Sequence, residues 1–342
     1  MSQDIRIRPF RNSDPPALVQ IWNQAMPAGR AAAPLSVYEL DALAFGTPEF
    51  DRLGLLVAEN VDSGELLGFA HAGFGPPDPE IAPLQYDREM GSIAMLAIRS
   101  DRGDADSSWV GRLIVEAERY LKDRGAKVFY AGGLRPLNPF YWGLYGGSEF
   151  SGIVDSHTTF RDAVIRAGYQ PMARSVMLEV NLAQGDFKDP RAILIRRSHR
   201  IEIQEEARLP SWWDDLHLAP YRPAIVRVIA KSDNSEIASA MVWSMDGFLR
   251  SDNRARLGLI GLQVHPSHRR KGYGRFLVGE ILRAARIQYI DAVQAVTDAV
   301  NEGAIALYES LRFERIDECA MYRLPVGEGL RQAGDDLPNP QG

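Results

Sequence analysis

Apolar positions along this chain form two similar series. Residues 55–74 (LLVAENVDSGELLGFAHAGF) set apolar β-formers on both sides of an Asp-Ser-Gly cluster, and residues 224–243 (AIVRVIAKSDNSEIASAMVW) do the same around Ser-Asp-Asn-Ser. Both patterns predict strand, turn, strand, because a short cluster of turn formers interrupts residues that favour a pleated surface. A longer block follows each hairpin. Residues 92–132 and 259–298 each pass from an apolar run through a polar loop into helically spaced apolar residues and then a second apolar run. That order predicts strand, loop, amphipathic helix, strand. The corresponding strand ends, Ile98 and Val264, are 166 residues apart. A period this long denotes a duplicated domain, since solenoid repeats are far shorter.

The remaining pattern sets the boundaries. A first strand is predicted at Ile5–Pro9, followed by a helix with Ser13 or Asp14 as N-cap and Leu18, Ile21, Trp22 and Ala25 on its apolar face. The first domain is expected over residues 1–182, and AQGDFKDP (183–190) has linker composition. The second is expected over 191–325, with one short helix at most in 209–223 before its hairpin. Residues 326–342, rich in Gly, Asp and Pro, read as a disordered tail. The class is α+β, and a length of 342 residues accommodates two such domains.

Composition narrows the function. The chain is 45% hydrophobic and 25% charged, with a formal net charge of −6. That acidic balance argues against a nucleic-acid partner, and the basic stretch RRSHR (196–200) has no interleaved aromatics. No apolar run is long enough to span a bilayer, and residues 1–11 are too polar to act as a signal peptide, so no membrane partner and a cytoplasmic location are expected. The single cysteine, Cys319, reads as a core thiol within DECAMY. No metal is expected: the His265/His268 pair has no nearby carboxylate or thiol to complete a site.

The most informative stretch is HPSHRRKGYGRFLVGEIL, residues 265–282. Pro266 cannot donate to a sheet ladder and ends the preceding strand. Three cations, Arg269, Arg270 and Lys271, lead into Gly272 and Gly274, and a helix follows with Phe276, Leu277, Ile281, Leu282 and Ala285 on its buried side. A helix N-terminus offers unpaired N–H groups and partial positive charge. Glycines let the backbone approach a ligand closely. Together these features describe a cradle for a phosphate or pyrophosphate. The spacing of a P-loop is absent, and Leu277 stands where a dinucleotide fingerprint needs its third glycine.

The pattern Arg269-x-x-Gly272-x-Gly274 resembles the acyl-CoA pyrophosphate loop of the GNAT superfamily of N-acetyltransferases. Farther on, Asn301-x-x-Ala304-x-x-Leu307-Tyr308-x-x-x-x-Phe313 looks like the final block of that superfamily. The resemblance covers about residues 224–324. It implies two tandem GNAT-like domains, each a mixed, mostly antiparallel sheet flanked by helices. It also implies an acyl-CoA-dependent N-acyltransferase with acetyl-CoA as donor and an amine of a small molecule or peptide as acceptor. On this resemblance the backbone of Leu262, Gln263 and Val264 would face the pantetheine amides. The N–H groups of Arg270, Lys271, Gly272, Tyr273, Gly274 and Arg275 would bind the pyrophosphate, with the side chains of Arg269, Arg270 and Lys271 near phosphates. Asn301 would contact the pantetheine arm or a bound water. Tyr308 would be the general acid at the thioester sulfur, since a departing thiolate needs a proton and a phenol supplies one. Its place on an amphipathic stripe also suits a core aromatic.

Three features stay open. Glu236, Asp246 and Asp252 are placed as possible bases, but each also reads as a solvated charge, and no base is assigned. The first domain's loop, Arg102-Gly103-Asp104-Ala105-Asp106-Ser107-Ser108, brings acids where a pyrophosphate would lie, so this copy is expected to keep the fold and lose acyl-CoA binding. Its Gly- and aromatic-rich insert, 138–157, suits either a wall of an acceptor site or a packing loop. A module that binds acyl-CoA as a sensor would share the second loop, and only turnover separates it from a transferase.

Overall fold

A computed structural model describes residues 4–76, 89–101, 107–133, 137–149, 151–184, 187, 189–206 and 218–325. The chain forms two compact units. One comprises Met1–Gly146, Phe150–Arg174 and Glu318–Gly342, the other Gly147–Glu149 and Ser175–Asp317. The first contains β1 (Ile5–Pro9), α1 (Pro15–Ala25), α2 (Val37–Leu40), β2 (Leu55–Asn60), β3 (Leu66–Gly73), β4 (Met90–Ile98), α3 (Ser108–Asp123), β5 (Val128–Ala131), β6 (Ile153–Val154) and α4 (Thr158–Arg166). Strand β7 (Gln170–Asn181) follows and ends in the second unit, which continues with α5 (Ala192–Ser198), β8 (His199–Gln204), β9 (Ala224–Ala230), β10 (Glu236–Ser244), α6 (Asp246–Asp252), β11 (Arg256–Val264), α7 (Tyr273–Ile287), β12 (Ala292–Asp298) and α8 (Glu302–Ser310). The last strand, β13 (Glu314–Arg323), ends in the first unit.

Both units use one pairing scheme. β1, β2, β3 and β4 are antiparallel in that order, and β5 adds parallel to β4. Likewise β8, β9, β10 and β11 are antiparallel, and β12 adds parallel to β11. The outer partner is exchanged in sequence: β12 pairs with Ser175–Asn181 of β7, and β5 pairs with Tyr322 and Arg323 at the end of β13. The compact units and the sequence repeats are therefore different partitions of the chain.

The predicted hairpins are β2–β3 and β9–β10, and the longer blocks are β4–α3–β5 and β11–α7–β12. Helix α7 buries Phe276, Leu277, Ile281, Leu282 and Ala285 as its spacing requires. They share a core with Leu178, Val180, Val228, Leu259, Val293 and Ala295 from the sheet, Ile305 and Tyr308 from α8, and Leu311 at its C-cap. Asp14 stands at the N-cap of α1 without capping it by side chain. Its carboxylate instead accepts from Arg8 Nη1 and Nη2 at 2.8 and 3.0 Å and from the Arg11 N–H at 2.7 Å.

Several elements carry no clear local pattern. β8 is only partly covered and takes its place by pairing with β9, and α5 and α6 are seven-residue helices. After Phe313 comes the strand β13. Within 209–223, Ala219–Tyr221 makes one tight helical turn, while 207–217 lie outside the described residues, as do loop residues 102–106 and the tail 326–342. Most of the 138–157 insert packs into the first unit's core: Phe140, Tyr141 and Tyr145 are fully buried.

Candidate active site

The site is built where β11 and β12 stop pairing. Their parallel ladder runs from Arg256↔Ala292 to Leu259↔Ala295, yet β11 continues to Val264 and β12 to Asp298. β12 stays on β7 through Asp298↔Ser175, while β11 stays on β10 through Ala238↔Val264. Between Met241↔Ile260 and Ser239↔Gln263 the register slips by one residue on β11. Gly261 absorbs the slip with φ +62°, a conformation that a β-branched residue there would resist. The bulge also turns the alternation over. Leu257 and Leu259 pack towards α7 before it, and Leu262 and Val264 do so after it.

The glycine loop follows. Arg269 Nε donates to the Val264 carbonyl at 3.1 Å, folding the loop back on the strand end. Gly272 is the N-cap of α7 with φ +91°, and no side chain caps the helix. A Cβ on Gly272 would meet only Arg191 Nη1, at 4.0 Å. A Cβ on Gly274 would lie 2.9 Å from Leu307 Cδ1 and 3.4 Å from Val264 Cγ2, so a larger residue here would make the Leu307 side chain shift. The cations divide by task. Arg275 donates to the Ser310 carbonyl at 2.9 Å and lies 3.5 Å from Asp189, whereas Arg270 and Lys271 are exposed, with no partner among the described residues. An uncapped helix start beside exposed cations can take an anion. Arg191, at the N-cap of α5, is a member of this set that the linear pattern does not reveal.

Helix α8 completes the set. Asn301 caps it, its Oδ1 accepting from the Ala304 N–H at 3.1 Å, which leaves Nδ2 for other contacts. Tyr308 is 4% exposed, with its ring 5.0 Å from that of Phe313. Burial, and second the charge of Glu149, push its phenol well above the usual tyrosine range. It therefore carries its proton at neutral pH. Gly274 brings the start of α7 against Val264 of β11 and Leu307 of α8, while Asn301 and Tyr308 lie at the first and last turns of α8. The three acids considered as bases are engaged elsewhere: Glu236 with Arg227 at 3.1 Å, Asp246 with Ser244 Oγ, and Asp252 with Arg256. A groove of about 550 Å³ along the outer side of α7, between Phe187, Ala192 and Gly279, shares only Arg275 with this set. Among the described residues no group of three or more His, Cys, Asp or Glu could hold a metal ion, and no helix is long and apolar enough to cross a membrane.

In the first unit the pairing of β4 with β5 also ends early, at Ile93↔Ala131. Gly68 on β3 lies against Trp109 of α3. By alternation His71 and Gly73 face the opposite side. That side is filled: Phe140 lies 4.2 Å from the His71 ring, Tyr141 Oη is 2.9 Å from its Nδ1, and Phe50 is 5.6 Å away. Burial pushes His71 down to about 3, so the imidazole is neutral.

Residues 192–313 match the Acetyltransferase (GNAT) family. A 65-residue stretch is 38% identical to N-acetyltransferase family 8 member 3 of Rattus norvegicus, covering 19% of this chain and 28% of that protein. The whole fold is similar to that of a tandem GNAT protein from the clavulanic acid biosynthesis pathway, with TM-score 0.63 and 12% identity over 94% of this chain and 98% of the other. It is also similar to a GCN5-related N-acetyltransferase from Sphaerobacter thermophilus, with TM-score 0.57 and 14% identity over 93% and 95%. The chain therefore has a fold similar to that of a tandem GNAT protein, and its residues 192–313 match the GNAT acetyltransferase family.

Proposed function

We propose that the second unit transfers an acyl group from an acyl-CoA, acetyl-CoA in the first instance, to an amine of a small molecule or peptide. The observation that carries this reading is the end of β11–β12 pairing at Leu259↔Ala295 beside the uncapped N-terminus of α7. Backbone groups of 262–264, released from β12, are available to the amides of a pantetheine arm. The first-turn N–H groups at Gly272, Tyr273, Gly274 and Arg275 have no acceptor within the helix and suit a pyrophosphate, with Arg270, Lys271 and Arg191 adding charge. Asn301 Nδ2 is placed to meet the arm. Tyr308, protonated and buried, supplies the proton that a departing thiolate takes up. The amine attacks the thioester carbonyl directly, because a positioned acceptor and donor need no enzyme-bound intermediate. We take the first domain, assigned to 1–182 by sequence, as a copy that keeps the fold without this activity, in keeping with the aromatic side chains packed on His71. The domain assigned to 191–325 carries the site.

The test is thiol release from acetyl-CoA across a panel of amines, polyamines, amino acids and peptides. Amine-dependent release at a steady rate is expected. Acetyl-CoA binding without release for any acceptor would favour a sensor module and retire the transferase reading.

A further inference from the structure

Glu149 lies in the first repeat by sequence, yet the tripeptide Gly147–Glu149 belongs to the second compact unit. Register shows which face of the sheet it occupies. Trp243 of β10 stands beside Gly258 of β11, and Gly258 beside Gln294 of β12. Partnered positions share a face of a sheet, and the next position along each strand faces the other way. Leu259 and Ala295, the next row, pack with α7 and α8, so the row of Trp243, Gly258 and Gln294 faces away from them. The tripeptide is fastened on that row. The Ser148 carbonyl accepts from Trp243 Nε1 at 3.0 Å, and a Cβ on Gly147 would fall 2.6 Å from Gln294 Oε1 and 2.9 Å from the Met177 side chain. Glu149 follows directly on this fastened pair, on the face away from α7. Tyr308 packs on the α7 side in one cluster with Leu259 and Ala295, the last row at which β11 and β12 pair, and the charge of Glu149 acts on its phenol.

We propose that Glu149 is the carboxylate that takes the proton from the attacking amine in the second unit's site. This inference rests on the transferase reading above. The donor's phosphates are assigned to the α7 side, so an acceptor approaching from the opposite face meets the strap that carries Glu149. The step balances. An alkylammonium first gives one proton to Glu149, which frees the nitrogen lone pair. The lone pair forms the N–C bond, the C–S bond breaks with its electron pair going to sulfur, and sulfur takes the Tyr308 proton. The acylated nitrogen then returns its excess proton to the Tyr308 phenolate, and Glu149 releases its proton to water, so both residues are reset.

The experiment compares wild-type protein with Glu149→Gln, which keeps size and hydrogen bonding but cannot take up a proton. Turnover is measured with an alkylamine acceptor drawn from the panel and with its O-alkylhydroxylamine analogue, whose nitrogen is uncharged at neutral pH. Acetyl-CoA affinity is titrated alongside. The expected result is a loss of about 10²–10⁴ in turnover with the alkylamine, the usual span for a positioned base, and a clearly smaller loss with the analogue. Acetyl-CoA affinity should be unchanged. Wild-type turnover in the variant, an equal loss on both acceptors, or a loss of acetyl-CoA affinity would each overturn the assignment while leaving the transferase reading in place. A wild-type protein that is silent with every amine would remove the transferase reading and this inference with it.

Discussion

Tyr308 shows how burial sets a residue's chemistry. A phenol in water loses its proton near pH 10. Desolvation, and second the nearby Glu149 charge, move that transition higher, so the hydroxyl is a donor throughout the neutral range. A donor whose interaction strengthens only as the thioester breaks raises turnover without tightening substrate binding. Tyr308→Phe keeps the ring against Phe313 and removes only the hydroxyl. Turnover is expected to fall by about 10²–10⁴ with acetyl-CoA affinity and melting temperature held. A purely structural hydroxyl would give the reverse, wild-type turnover with about 1 kcal/mol less stability. The neighbouring glycines divide similarly by physical cause. Gly261 and Gly272 adopt positive φ, whereas Gly274 lies in close approach to the Leu307 side chain.

At the scale of elements, the sheet face opposite α7 is held by charge as well as by apolar contact. Arg256 of β11 is buried between Glu179 of β7, at 3.0 Å, and Asp252 of α6, and Gln294 of β12 donates to Glu179 at 3.0 Å. Arg254 adds a second ion pair to Glu179 at 2.7 Å. Burial alone would raise the Glu179 pKa, but the Gln294 hydrogen bond and the two arginines bring it below the usual glutamate value. The sign follows. The folded-state pKa is depressed, so this stabilisation is complete above the unfolded glutamate value of about 4.3 and is lost as pH falls through the folded one. Replacing Arg256 by Met leaves Glu179, in a largely buried position, with the half-exposed Arg254 and the neutral Gln294 amide as partners. The expected loss is about 3 kcal/mol, read as a lower urea midpoint at unchanged slope at pH 7. The difference between variant and wild type should shrink in acid. A loss below about 0.5 kcal/mol, the usual range for a surface change, would mean that the network does not hold these strands.

For the whole molecule, the same strand order is built twice and packed differently. In one copy the ends of β11 and β12 adjoin a glycine loop and a helix start without a side-chain cap. In the other, the face opposite α3 is packed with Phe50, Phe140 and Tyr141 around a neutral histidine. Hydrogen exchange should register the asymmetry. Acetyl-CoA is expected to slow amides in 262–276 and 301–308 and to leave 98–108 unchanged. Equal slowing at 98–108 would show that the first copy has kept the donor site.

The hairpins, the two strand–helix–strand blocks and the duplication were legible in the sequence because each rests on short-range periodicity and turn chemistry. The glycine loop before α7 and the Asn301 cap before α8 were legible as local structure for a related reason: a helix start is set by residues consecutive in the chain. What the tertiary structure alone decided is whatever depends on distant segments meeting. β8 carries only a short alternation, Ile201 and Ile203 among polar neighbours, and takes its place by pairing along β9. The exchange of β7 and β13 between units follows from which sheet edge each strand reaches, which periodicity does not encode. Arg191 comes to the glycine loop across the linker, and Glu149 comes to the Tyr308 site from an insert more than 150 residues earlier in the chain. No local spacing marks such residues. A charge at a distance acts through space, and only the folded path of the chain sets that distance.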